Sequence, residues 1–130
     1  MLLLDTHVLI WWLTEGSELE KRWRQPIETA ERTQSLYVSA ITLWEIAKLV
    51  ERGKIKLRDG VDVLLTSLET NRAIQVLPIT AAVALKSTRL GANFHNDPAD
   101  QLITATAIVH KLQLVTANRR IRMSDVVSVV

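Results

Sequence analysis

The sequence predicts an α/β protein, a three-layer α/β/α sandwich around a mostly parallel central sheet. Short, continuously apolar strand candidates (LLL, LYVS, LQLVT) alternate with longer segments of helical periodicity. Strands with no polar alternation are buried on both faces, and parallel sheets covered by crossover helices have that character. No Gly/Ser/Pro-rich linker interrupts the 130 residues, so residues 1–130 are read as one domain.

The elements follow in chain order. Met1–Leu4 is a strand candidate ending at Asp5, and Thr6–Leu13 continues as an apolar helix. Ser17 with Glu20 fits a capping box for a charged helix from Glu18 to about Thr33. Leu36–Ser39 is the second strand. Thr42 with Glu45 forms another capping box, opening a helix that stops near Gly53. Ile55–Leu57 is ambiguous. Asp59 caps a helix running to about Asn71, with Val61, Leu64, Leu65 and Leu68 on one face. Ile74–Ile79 reads as a strand ended by Pro78, and Thr80 starts a helix ending near Gly91. Asp97-Pro98 pairs an N-cap acid with proline at the first helical position, and that helix runs to about Lys111. Leu112–Thr116 is a strand, and Val126–Val130 a candidate last one.

Composition narrows the chemistry. At 48% hydrophobic and 23% charged the chain is globular. No apolar run is long enough to span a bilayer, and the N-terminal runs, split by Asp5 and His7, lack the layout of a signal peptide. A cytoplasmic location is expected. Cysteine is absent, so a metal site would use oxygen or imidazole. Carboxylate oxygens favour hard cations such as Mg²⁺ or Mn²⁺. A net charge of +2 permits an anionic partner without demanding one.

Four acids lie where strands give way to helices: Asp5, Glu45, Asp97 and Asp100. Strand ends of an open α/β sheet converge on one crevice, so these remote positions can become neighbours. Each also has an ordinary structural reading. Asp5 and Asp97 suit helix N-caps, and Glu45 suits the acid of a capping box. Asp100 gains from the helix dipole, but its helix is apolar almost all round, and no basic residue lies within a turn of it. A metal shared with Asp5 would supply the missing charge. Asn118 is a turn residue or a group that orients Asp100, and the hydroxyls of Thr6 and Thr116 stand at corresponding strand ends as supports or caps. His7 reads as a packed core residue, His95 as an exposed loop residue or a phosphate contact, and His110 as a helix-end residue. Arg119, Arg120 and Arg122 form a basic turn suited to phosphates or simply to solvent. Of the four tryptophans most are expected in the core, although Trp11 and Trp12, being adjacent, cannot both point inward.

Taken together, Leu-Leu-Asp-Thr-His-Val-Leu-Ile-Trp, Ser-Ala-Ile-Thr-Leu-Trp-Glu-Ile, His-Asn-Asp-Pro-Ala-Asp-Gln-Leu-Ile-Thr-Ala-Thr-Ala and Leu-Val-Thr-Ala-Asn resemble the PIN-domain ribonucleases. The resemblance is nearest to the VapC-type toxins of bacterial toxin–antitoxin pairs, and it covers essentially the whole chain. It implies a metal-dependent endoribonuclease with Asp5, Glu45 and Asp100 as ligands of Mg²⁺ or Mn²⁺ and Asp97 as an additional acid. It implies Thr6, Thr116 and Asn118 as supporting groups, with His95, Arg119, Arg120 and Arg122 facing RNA. Its implied partners are an RNA substrate such as tRNA, a small antitoxin protein and a second copy in a homodimer. Asn118 stands where many members carry a fourth Asp, which puts tight binding of a second metal in doubt. That departure keeps an alternative open, a catalytically weak PIN-like module that binds RNA or antitoxin without cutting. A phospho-acceptor receiver domain is disfavoured because the chain has a lone acid at Asp5 and Ser39, not Asp, after Leu36–Val38.

Overall fold

A computed structural model describes all of residues 1–130. Four short strands, β1 (Leu2–Leu4), β2 (Leu36–Ser39), β3 (Ile74–Leu77) and β4 (Gln113–Val115), form one sheet in the order β3-β2-β1-β4. Every pairing is parallel. Seven helices connect or flank them: α1 (Thr6–Leu13), α2 (Lys21–Arg32), α3 (Ala40–Glu51), α4 (Val61–Thr70), α5 (Ala81–Ser87), α6 (Pro98–Val109) and α7 (Arg119–Ser124).

The two-residue period of a strand separates the layers. Leu2 and Leu4 point into a core shared with Val8, Leu9, Trp23, Ile27 and Ile46. Leu3, between them, joins Phe94, Ile103, Leu114 and Ile121 on the opposite face. Both sides of β1 are therefore sealed, which is why an uninterrupted Leu-Leu-Leu suits the strand. Truncating a fully buried leucine such as Leu3 to alanine costs about 2–5 kcal/mol in comparable cores.

Several boundaries differ from the sequence expectation. The second helix starts at Lys21, and Glu20 caps it without a side-chain bond, so the Ser17/Glu20 box does not form. The third helix begins at Ala40, two residues before Thr42, with Ser39 Oγ accepting from Ile41 N. Thr42 and Glu45 lie inside it and are not a capping box. The fourth begins after Gly60, whose φ of +88° is open to glycine at little strain and disfavoured for other residues. Asp59 is thus one position too early to cap it. Val126–Val130 forms no full strand, only a parallel bridge between Leu114 and Val129. His7 is exposed, because the α1 face that packs inward carries Val8, Leu9 and Ile10. Trp44 is 54% exposed, whereas Trp23 is fully buried.

Candidate active site

All four strands run the same way, so their C-terminal ends share one edge. Register sets the neighbours there: Leu4 pairs with Val38 on one side and Val115 on the other. Of the next residues, Asp5 and Thr116 leave the sheet, and Ser39 beside Asp5 is the last residue of β2. Asp5 turns into α1 as its N-cap, with Oδ1 accepting from Thr6 N at 2.8 Å. Its Oδ2 accepts from the Thr116 hydroxyl at 2.6 Å.

From the other flank, α3 brings Thr42 and Glu45 to Thr6. The Thr6 hydroxyl donates to Glu45 Oε1 at 2.5 Å, and since it has one proton, the 3.0 Å bond with Thr42 is donated by Thr42. Thr42 is fully buried there and Glu45 half-buried.

The third contribution comes from α6. Asp97 caps it, its Oδ1 accepting from Asp100 N at 3.0 Å, and Pro98 occupies the first turn. Asp100 Oδ2 receives two donors, His95 Nε2 at 2.7 Å and Asn118 Nδ2 at 3.1 Å. His95 is the partner that sequence proximity did not reveal. Its ring stacks on Phe94, with centroids 4.6 Å apart, and only 6% of its side chain is exposed. Its role as a free phosphate contact therefore gives way to one holding Asp100.

Asn118 does two things at once. Its Oδ1 caps α7, accepting from Arg120 N and Ile121 N, while its amide group donates to Asp100. Its backbone N donates to the Thr116 hydroxyl at 3.0 Å. A continuous chain of bonds thus runs from Asp5 through Thr116 and Asn118 to Asp100. The expected turn around Arg119 and Arg120 is a helix. Arg119 and Arg120 are exposed, but Arg122 Nη1 donates to the carbonyls of Thr116 and Val130, so it ties down the chain and is not a free phosphate ligand.

The electrostatics follow from this crowding. Burial pushes the Asp5 carboxyl up, against the Thr116 hydrogen bond that lowers it, and Asp100 adds to the rise. Burial also pushes Glu45 up to about 7, opposed by the Thr6 hydroxyl and reinforced by Asp5, Asp100 and Asp97. No three of these side chains close into a ready-made metal cage. The donor chemistry nevertheless suits a hard divalent cation, because an all-oxygen set of mutually repelling carboxylates is relieved by positive charge.

The family model for the PIN domain matches residues 2–126. The chain belongs to the PIN-domain family. This PIN domain is 40% identical over 120 residues to ribonuclease VapC22 of Mycobacterium tuberculosis, spanning 92% of this chain and 88% of the relative. Among solved structures it resembles VapBC2 from Rickettsia felis bound to a DNA fragment from their promoter. That match has a TM-score of 0.71 at 16% identity and covers 99% of this chain and 96% of that one. It also resembles a toxin–antitoxin complex from Klebsiella pneumoniae, with a TM-score of 0.55 at 24% identity over 91% of this chain and 87% of the other. At those identities the structures speak to the fold, and the α/β sandwich of a PIN domain is what the topology shows. No helix is long and apolar enough to cross a membrane.

Proposed function

We propose that this PIN domain is a divalent-metal-dependent endoribonuclease and the toxin of a toxin–antitoxin pair. The observation that carries the reading is the 40% identity to a ribonuclease across nearly the whole chain. The cluster of Asp5, Glu45 and Asp100 at one sheet edge gives it a chemistry.

In this reading Asp5, Asp100 and Glu45 would hold Mg²⁺ or Mn²⁺. Such a cation would offset charge on the scissile phosphate and lower the pKa of the attacking water. The chain's own groups do the rest. Thr116 and Thr6 fix the faces that Asp5 and Glu45 present. Glu45 Oε2, the oxygen not engaged by Thr6, takes up the proton of the water. His95 and Asn118 hold Asp100 Oδ2 and leave Oδ1 without a hydrogen-bond partner. Asp97 caps α6 and adds negative charge beside Glu45. Arg119 and Arg120, both exposed, hold neighbouring RNA phosphates, and tRNA is a substrate to test. By extension from the Klebsiella complex, a cognate antitoxin silences the site. In our reading, independently of that complex, the active form is a cytoplasmic homodimer.

The deciding experiment is RNA cleavage with Mg²⁺ or Mn²⁺, against EDTA and against Asp5→Asn and Asp100→Asn. Cleavage lost in all three controls supports the assignment. Metal-dependent cleavage retained by folded Asp100→Asn defeats the role given to that carboxylate. No cleavage of any RNA by antitoxin-free protein favours the second reading, a binding module, for which the neutral Asn118 at the site's edge is the specific support.

A further inference from the structure

Along α3, Trp44, Lys48 and Arg52 recur every fourth residue, so their side chains lie along one stripe of the helix. Glu45, at the cleft, is the immediate neighbour of Trp44. The indole of Trp44 is 54% exposed, and Lys48 Nζ sits 5.9 Å from its ring centroid. Lys48 also pairs loosely with Glu51 at 3.2 Å, whereas Arg52 is exposed and has no acidic partner. Across from this stripe stand Asp97 and Pro98 at the first turn of α6. Between the two helices is a cavity of about 210 Å³ whose lining includes Glu45 itself.

An exposed indole is costly to leave in water, and surface tryptophans with cations beside them suit ligands with a flat face and a negative charge. A nucleotide of single-stranded RNA has both. Aromatic faces stack bases with little regard to sequence, while neighbouring cations hold the phosphate. The pocket opens beside Glu45, so whatever occupies it lies next to the phosphate being cut.

We infer that Trp44, Lys48 and Arg52 form a nucleotide subsite, in which the indole stacks one base of single-stranded RNA adjoining the scissile phosphate and the two cations hold its backbone. This subsite rests on the ribonuclease reading and adds the strand's path: it leaves the acidic cluster along α3, on the flank away from Arg119 and Arg120.

The test uses full-length protein in two measurements. Cleavage of total tRNA by the wild type with Mn²⁺ examines the ribonuclease reading alone. Fluorescence anisotropy with labelled short oligouridylate and oligoadenylate, on an uncut Asp100→Asn background, examines the subsite. Trp44→Ala is expected to weaken binding of both oligomers roughly ten-fold, and Trp44→Phe to restore most of it. Lys48→Gln with Arg52→Gln is expected to reduce the dependence of binding on salt by about one counterion. Because all three residues are on the surface, circular dichroism should be unchanged. Binding by Trp44→Ala equal to that of its parent overturns the subsite, even if tRNA is cut. Light scattering that shows Trp44→Ala breaking a dimer, with RNA affinity per chain unaltered, also overturns it and makes the indole a contact between copies. Trp44-dependent binding without cleavage keeps the base-stacking contact but removes the ribonuclease reading, and with it the subsite's place beside a scissile phosphate. A wild type that neither cuts nor binds RNA removes both.

Discussion

Replacing Glu45 with glutamine separates the price of a functional carboxylate from its use. Folding moves Glu45 from an ordinary value of 4.5 to about 7. Between those values the folded state keeps a proton that the unfolded chain has released, so stability falls as pH rises through that window. Above it the full penalty persists, and below about pH 4 it vanishes. The shift corresponds to about 3 kcal/mol without screening, and partial exposure of the carboxyl reduces that to about 1–2 kcal/mol. Glutamine removes the charge and keeps an oxygen to accept from Thr6. In EDTA at about pH 8, Glu45→Gln should therefore raise the thermal midpoint by roughly 4–7 °C, with the advantage disappearing near pH 4. Cleavage with Mn²⁺ should fall sharply in the same variant. Differential scanning calorimetry across pH measures the first effect and gel-based RNA cleavage the second. A variant less stable than its parent at about pH 8, or one offset equally at both pH values, would refute the crowding argument and return Glu45 to a structural part.

Three further outcomes are expected. Thr116→Val strips Asp5 of its hydroxyl donor and leaves Asn118 N without an acceptor, so urea unfolding should show a loss of about 2–3 kcal/mol at neutral pH; an unchanged midpoint would refute the bond's importance. Asn118→Asp keeps the α7 cap but sets a second charge against Asp100, so the variant should melt lower in EDTA and gain more from added Mn²⁺ than the wild type, as read by thermal shift. His95→Ala leaves Asp100 with one donor, and titrating cleavage against Mn²⁺ should show the half-saturating concentration raised about 10–100-fold; an identical curve would mean that the imidazole does not position the carboxylate.

Much of this architecture was legible because the strands are short and apolar without alternation, which requires cover on both faces. Asp97-Pro98 marked the start of α6 for a local reason, capping chemistry, and the structure keeps it. Where local chemistry had a competitor, sequence reading faltered. Thr42 and Glu45 have the spacing of a capping box, yet both turn to Thr6, thirty-six and thirty-nine positions away along the chain. His95 was not matched with Asp100 because the bond crosses the start of α6, where no helical period relates the two. The α7 turn is short and rich in arginine and buries only Ile121, so it carries almost no apolar pattern. Strand order was equally hidden, because crossover lengths do not say which strands pair.

The placement of β4 carries a consequence for synthesis. It is the last strand to be made and slots beside β1, the first, bringing Thr116 and Asn118 to acids made long before. Until β4 is in place, Asp5 lacks its Thr116 donor and Asp100 its Asn118 donor. The crevice is in this sense a seam, closed where remote stretches of the chain are laid edge to edge.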